Sequence, residues 1–463
     1  MNKASTLSLT ESQHQQLMSH LFPSDGFEAA AILLCNKAGK ENFRLVVEKI
    51  IFVPYSECGI RTINSLSWPG EYLEQAIDES IEADKSIVLI HSHPGGYPDF
   101  SELDDSSDKI TIPSLQHGAN SLEIPHGSAI ILPTGIIKGR IYDRNLNKME
   151  LSKVLIVGEN IRDLSINAQT NILPFTSQMT NQLSSITACV VGASGTGSIT
   201  AELLARLGVG HLILIDFDRV EYKNLNRILY ATEDDAKNNV FKTTVLKRAI
   251  ISHHPNTKVT TIEKFISDPE AIISASDAEF IFSCVDSIEG RYYCDLMAQA
   301  FISPLIDLGV TIPTRKTQTG NVAIADVLGR IDYVFPDGPS LFDKGVISAE
   351  ALHSEYLYNV DKENYDKQVK DGYIKGQIEE APSVISLNMR AASAAVNEWL
   401  SRLYVIRDSD NRYFSQTIFS LTESEEEHLP TNSFNASKID LLGWGLREPL
   451  LNLPQFCKKD EAA

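Results

Sequence analysis

The sequence predicts an α/β protein of two domains, and three observations carry that reading. At 463 residues the chain is too long for one ordinary core. Apolar segments of strand length alternate with segments of helical period, and from about residue 187 the alternation becomes regular. Around 145–185 the pattern gives way to Asn, Ser, Thr and Gln. The expected organisation is a mixed-sheet domain at 1–150, a linker at 151–184, a parallel-sheet domain at 185–405 and a C-terminal extension at 406–463.

In the first domain, AAAILLC (29–35) and FRLVVEKIIFVP (43–54) read as neighbouring strands around the turn Asn36–Gly39. Pro69-Gly70 opens a helix over 71–83 with Leu73, Ala76, Ile77 and Ile81 on one face. SIVLIHSH (86–93) is a strand, and SAIILP (128–133) with IIKGRIYD (136–143) forms a hairpin about Thr134-Gly135. The segment 145–185 reads as linker with some helix after VLIV (154–157).

The second domain opens with a strand at 187–192, a helix at 198–208 stopped by Gly208, and a strand at 211–218. A helix at 241–253, a strand at 258–262, a helix at 269–275 and a strand at 279–285 follow. Near-continuous apolar strands alternating with helices imply a parallel sheet covered on both faces. Residues 330–380 read as a long acidic irregular loop, functional or mobile by its size. A helix at 383–402, a strand-like 412–421 and an acidic tail containing TESEEEHLP complete the chain.

The net charge of −20 argues against broad nucleic-acid binding, which needs a basic surface to displace counterions. It suits a basic protein partner, or simply solubility. No run of about 18 apolar residues indicates a membrane span, and the first twenty residues lack the apolar centre of a signal peptide. The cysteines at 35, 58, 189, 284, 294 and 457 form no CxxC pair. Cys35, Cys189 and Cys284 lie in apolar runs as reduced core residues, so a cytoplasmic compartment is expected.

The segment His91-Ser92-His93-Pro94, followed by Ser101 and Asp104, carries the first chemistry. Alternate strand residues share a face, so His91 and His93 can offer two imidazole nitrogens to one metal ion. The start of a following helix, expected over 101–110, can bring in Asp104. Two His, one carboxylate and an open position is a catalytic zinc arrangement. Glu28, entering an apolar strand, is the upstream acid best placed to accept a proton from bound water. Ser101 can stabilise an oxyanion or cap the helix, and the two roles compete. His117 and His126 fall outside the pattern and read as loop histidines.

Glu28 with the His91-Ser92-His93-Pro94, Ser101 and Asp104 spacing resembles the JAMM (MPN-type) metalloproteases at every position of their signature, over roughly 20–145. The resemblance implies a cytidine-deaminase-like mixed sheet. It implies zinc on His91, His93 and Asp104, a general base at Glu28, an oxyanion contact at Ser101, and cleavage of peptide or isopeptide bonds after ubiquitin-like proteins.

The second site begins at Gly192-Ala193-Ser194-Gly195-Thr196-Gly197-Ser198, between a buried strand and a helix. Glycines there let backbone approach a phosphate, and the helix N-terminus favours an anion. Asp216, ending the next strand, can bind a ribose hydroxyl, as in NAD enzymes too. The discrimination comes from Asp216, Asp218, Asn224, Asn226 and Arg227 within 213–227, Lys242 on the next helix and Asp286 after IFSCV. Arg227 and Lys242 can offset phosphate charge, and Asp286 can hold Mg²⁺.

This series resembles the ThiF/MoeB/HesA adenylation family over about 180–330, with the helix at 383–402 included. The resemblance implies a Rossmann-like fold, MgATP, and adenylation of the C-terminal glycine of a β-grasp, ubiquitin-like partner. It assigns phosphate to Gly192, Gly195 and Gly197, ribose to Asp216, phosphate contacts to Asn224, Arg227 and Lys242, and magnesium to Asp286. It also implies a homodimer. Ser194 stands where the family usually has glycine. Residues 310–380 hold no cysteine, which argues against a thioester on this chain. Cys457, on a tail expected to be mobile, is the candidate for one, and Cys294 reads as packing. Arg162 is the candidate for an arginine supplied in trans.

Together the two resemblances imply a bifunctional enzyme of a bacterial-type ubiquitin-like modification system, with a conjugating enzyme as a further partner. Maturation and adenylation of a sulfur carrier is the second reading, and a non-catalytic scaffold gripping a ubiquitin-like protein is the third.

Overall fold

The computed structural model describes residues 5–119, 124–169, 172–316, 322–370, 384–438 and 440–457. The helix expected from 383 and the last part of the acidic stretch at 330–380 lie partly outside the described residues. Contacts divide the chain into two units. One takes the described parts of Met1–Thr170 and Ile439–Ala463 with Gln299–Ile302. The other takes Asn171–Ala298 and Ser303–Lys438.

The first unit runs β1 (Ser5–Thr10), α1 (Glu11–Leu21), β2 (Ala30–Ala38), β3 (Phe43–Phe52), the short pair β4 (Ile60–Arg61) and β5 (Leu66–Ser67), α2 (Glu71–Ala83), β6 (Ser86–Ser92) and α3 (Glu102–Gly118). It continues through β7 (His126–Ile131), β8 (Ile137–Tyr142), β9 (Lys148–Glu150), β10 (Lys153–Val157) and β11 (Ile161–Asp163). Nine strands form one mixed sheet in the order β11-β10-β1-β3-β2-β6-β7-β8-β9. Successive residues of β2 feed opposite faces. Leu33 and Cys35 join the core beneath α1, while Ile32 and Leu34 pack with α2 and α3 through Ala76, Ile112 and Leu115. Each fully buried aliphatic side chain contributes roughly 1.5–3 kcal/mol.

Several expectations are corrected. The linker expected from 151 supplies β10 and β11, because VLIV is buried by parallel pairing with β1 (Leu7 opposite Val154). Ile81 is 51% exposed, so the buried side of α2 is narrower than expected. Neither His117, in the last turn of α3, nor His126 is a loop residue. His126 starts β7 fully buried, and its Nδ1 accepts the Ile87 backbone N–H at 3.1 Å.

The chain end, expected to be mobile, docks on the β2–β3 hairpin as far as it is described. The Asn36 amide donates to the Gly443 carbonyl at 2.7 Å, and the Leu446 N–H donates to the Lys37 carbonyl at 2.8 Å. Gly443 (φ 65°) is required there, because a Cβ would lie 2.6 Å from the Val47 carbonyl oxygen.

The second unit runs α4 (Ser177–Leu183), β12 (Thr187–Val191), α5 (Gly195–Leu207), β13 (His211–Ile215), α6 (Glu233–Lys237), α7 (Lys242–His253), β14 (Lys258–Ile262), α8 (Pro269–Ala275) and β15 (Phe280–Ser283). There follow α9 (Ile288–Ala300), β16 (Leu305–Thr311), the pair β17 (Thr314–Lys316) and β18 (Val322–Ile324), β19 (Leu328–Val334), α10 (Ala349–Val360) and α11 (Lys362–Lys370). Last come α12 (Ile385–Leu403), β20 (Gln416–Ser420) and β21 (Glu426–Leu429).

The eight-stranded order is β14-β13-β12-β15-β16-β19-β20-β21. The first five strands are parallel, as a Rossmann-like fold requires, and the last three are added antiparallel. The chain leaves β12 toward β13 on one side and reaches β15 on the other. That makes the C-terminal end of β12 a topological switch point, where ligands of such sheets bind. The region expected to be irregular from 330 begins inside β19 and holds α10 and α11, and the acidic tail supplies the edge strand β21. Glutamates at an edge discourage further pairing. Among the described residues no helix is long and apolar enough to cross a membrane.

Candidate functional sites

The end of β6 and the start of α3 build the first site. His91 lies within the strand, while His93 is just past its end, held by its own N–H to the Ile131 carbonyl at 3.0 Å. The two imidazoles therefore share a face although the strand stops between them. Ser92 ties the neighbouring chain in place. Its hydroxyl accepts the Ala29 N–H at 3.0 Å, fixing the segment that carries Glu28 beside the histidines.

The His91 and His93 Nε2 atoms are 3.1 Å apart. Asp104 places Oδ1 3.1 Å from the first and Oδ2 3.5 Å from the second. Ligands of a tetrahedral zinc with bonds of about 2.0–2.1 Å sit roughly 3.4 Å from one another, so these three donors fit such an ion. Two imidazole nitrogens facing each other need a cation or a shared proton between them. The Tyr97 carbonyl accepts from His93 Nδ1 at 2.9 Å, which turns the Nε2 lone pair toward the common point.

Burial pushes the Asp104 pKa up, but hydrogen bonds from His91 and His93 outweigh it and hold the carboxyl well below its usual range. Burial raises the Glu28 carboxyl above its ordinary value, opposed by the two imidazoles. Glu28, His91, Ser101 and Asp104 share a cleft of about 290 Å³ with Leu66, Trp68 and Phe100.

Ser101 caps α3. Its hydroxyl accepts the Asp104 N–H at 3.2 Å while its N–H donates to Asp104 Oδ2 at 2.6 Å. Capping consumes a lone pair and leaves the hydroxyl proton, so the two roles set against each other by the sequence are compatible. Sequence reasoning missed the support behind the site. Asp108 accepts from Ser128 at 2.6 Å, Arg140 at 2.7 Å and Tyr142 at 2.9 Å, and the Arg140 guanidinium lies 3.7 Å from the Phe100 ring centre. Asp104, Asp105 and Asp108 on one helix were the available signal.

The second site stands at the switch point. Gly192 has φ 91°, and a Cβ on Gly197 would come within 1.8 Å of the Gly192 carbonyl oxygen. Asp216 holds this loop. Its Oδ2 accepts the Ala193 N–H at 2.6 Å and its Oδ1 the Asp218 N–H at 2.8 Å. Burial raises the Asp216 pKa, with Lys242 opposing. Buried Lys242 donates to Asp218 Oδ2 at 2.6 Å. The Arg227 stem lies beside the loop, 3.5 Å from where a Gly195 Cβ would be. Asn224 is buried and uses Oδ1 to accept the Glu221 N–H at 3.0 Å, a turn-building bond. Asn226 Oδ1 is 3.4 Å from the Arg227 guanidinium, and Asp286 is exposed just beyond β15.

Asn388 on α12, unforeseen from the sequence, is 2% exposed and its Nδ2 lies 2.2 Å from the position of a Gly195 Cβ. A polar residue on the apolar side of a helix was its only signal. Arg162, on β11 of the first unit, pairs with Glu11 at 3.1 Å. Cys294 is fully buried, and burial raises its thiol pKa; Cys457 is exposed.

Residues 10–143 match the family model for prokaryotic homologs of the JAB domain, and residues 166–332 match that of the ThiF family. Ubiquitin-like modifier-activating enzyme 5 of Dictyostelium discoideum is 30% identical over 157 residues, 31% of this chain and 35% of that protein. The Culex quinquefasciatus protein of that name is 39% identical over 114 residues, 22% of this chain and 28% of that one. The chain thus spans about a third of these relatives' length. The crystal structure of E. coli MccB with ATP aligns over 57% of this chain and 68% of that chain, at 17% identity and a TM-score of 0.42.

Proposed function

We propose that this chain, a JAB homologue joined to a ThiF-family segment, is an enzyme with two reactive centres that act on the C-terminal tail of a ubiquitin-like protein. The first is a zinc-dependent peptidase or isopeptidase, and the second an ATP-dependent adenylating centre. The observation that carries the reading is the convergence of His91, His93 and Asp104 in one chain with the Asp216-held glycine loop.

His91, His93 and Asp104 would hold the zinc, which when bound supplies a Lewis acid and lowers the pKa of a coordinated water. Glu28, its affinity for a proton raised by burial, accepts the water's proton and passes it to the leaving amine. The Ser101 hydroxyl donates to the developing oxyanion. The cleft volume is near the lower end of ligand pockets (about 300–1,000 Å³), which suits a slender extended tail better than a folded domain.

In the second unit, Gly192, Gly195 and Gly197 admit the phosphates to the backbone, and Asp216 meets the ribose. The tail carboxylate attacks the α-phosphate of ATP and pyrophosphate leaves. Arg227 and Lys242 offset the charge that develops, and Asp286 would hold the magnesium that accompanies ATP. Lys242 leaves Asp218 to do so.

The partner protein, mixed with the full chain, MgATP and zinc, should show truncation and AMP addition by mass. His93→Ala should abolish cleavage and Glu28→Gln lower it by about 10²–10⁴, both sparing ATP–pyrophosphate exchange, and Lys242→Ala or Asp286→Ala should do the reverse. Joint loss in both variant sets would rule out separate centres, and absence of exchange would leave a binding scaffold. The absence of cysteine from 310–380 favours a second reading, in which the adenylate passes to a sulfur donor instead of forming a thioester. A thiocarboxylate mass on the partner, formed when a sulfurtransferase is added, would identify it.

A further inference from the structure

We propose a second metal site, independent of the first, formed by Glu202, His253 and His254 in the ThiF-type unit and selective for a transition-metal dication such as zinc. Their donor atoms all lie within 4.8 Å of one another. Glu202 projects from the middle of α5 and its side chain is only 8% exposed. His253 ends α7, and its Nε2 lies 3.0 Å from Glu202 Oε2. His254 follows as the C-cap residue, and its Nε2 is buried with no hydrogen-bond partner among the described residues.

A buried imidazole nitrogen left unpartnered is costly, and a cation shared with Glu202 and His253 would satisfy it. Two imidazoles and a carboxylate are zinc donors, and the 4.8 Å limit requires only small side-chain rotations to reach tetrahedral spacing of about 3.4 Å. Ser252 Oγ, 3.4 Å from His253 Nδ1, leaves the Nε2 of that ring for the ion. Arg206 pairs with Glu202 through Oε1, and the Tyr230 hydroxyl also hydrogen-bonds to this carboxylate. The ion must displace them, and both side chains, 59% and 40% exposed, can turn to solvent.

Such a site would clamp α5 to the end of α7. The glycine loop opens α5, and the Leu229 N–H donates to Ser198 Oγ at 3.2 Å, so the segment carrying Arg227 is anchored on the same helix. The ion would therefore stiffen the support of the nucleotide loop without touching nucleotide.

The test uses the full chain, stripped with a chelator, dialysed against micromolar zinc and assayed for bound metal by mass spectrometry. Cobalt(II) absorption serves as a second readout of coordination. Two equivalents of zinc are expected per wild-type chain, one in His91→Ala/His93→Ala and one in His254→Gln. In the triple variant none should remain. Glu202→Gln in the His91→Ala/His93→Ala background should weaken the remaining equivalent at least tenfold. If His91→Ala/His93→Ala, folded by circular dichroism, binds no zinc, or if its equivalent survives His254→Gln, the site does not exist and the cluster is an ion-paired network only.

Discussion

A methyl group on residue 197 would meet backbone, whereas one on residue 195 would meet the end of a side chain, and this sets an order of severity. At 197 the obstacle is the Gly192 carbonyl oxygen, 1.8 Å from the added Cβ; at 195 it is the Asn388 amide, at 2.2 Å. Gly197→Ala should therefore abolish ATP–pyrophosphate exchange and cost at least about 1–3 kcal/mol of stability. Gly195→Ala should cost less, and part of its loss should return in Gly195→Ala/Asn388→Ala, as thermal melts would show. Equal losses for the two single variants would contradict the geometry. Glu28→Gln keeps the size of the side chain and removes its proton affinity, so cleavage should fall by about 10²–10⁴ with zinc content unchanged. A fall in bound zinc instead would make Glu28 a structural residue. At this scale the residues that converge at the two candidate sites were legible because the chemistry expected of them fixes their spacing. His126 and Asn388 were not, because burial is created by distant chain and leaves no local pattern.

At the scale of elements, periodicity located most helices and parallel strands well. The helices at 71–83 and 269–275 appear with those bounds, and Gly208 ends α5 in the left-handed conformation at φ 94°. What failed was partnership. β10 and β11 were read as linker and β21 as tail, since a short or charged strand is recognisable only by the neighbour that pairs with it. The docked chain end is the same case. Gly443 and Gly445 both have positive φ and lie against the carbonyls of Val47 and Lys37, yet glycines in a terminal segment suggest only a turn. Gly443→Ala adds a Cβ against Val47 and strains the backbone, so it should lower the stability of the first unit by about 1–3 kcal/mol. Hydrogen exchange in peptides covering β2 and β3 should quicken. Unchanged protection there would mean that the chain end adds nothing to the sheet.

For the whole molecule, the two units carry buried titratable groups of opposite sign. Burial lowers the His126 pKa to about 4 from 6.5, and its Nδ1 already accepts a backbone N–H, so the folded state holds it neutral. Between pH 4 and 6.5 the unfolded chain binds more protons, and stability is lost as pH falls through that window. The loss amounts to on the order of 3 kcal/mol at most. Burial raises Asp295 to about 7 from 3.8, opposed by the Leu341 N–H and Lys344. Here the folded state binds more protons between pH 3.8 and 7, so stability is lost as pH rises, by on the order of 4 kcal/mol at most. The net charge of −20 imposes its own pH dependence on every variant alike, so differences from wild type are the informative quantity. His126→Gln should gain on wild type as pH falls from 7.5 to 5, with the gain confined to exchange of peptides from β6 and β7. Asp295→Asn keeps an acceptor for Leu341 and should gain on wild type as pH rises over the same range, in peptides from α9 and β16. Differences that stay flat with pH would mean that water reaches these groups and that burial does not govern their titration.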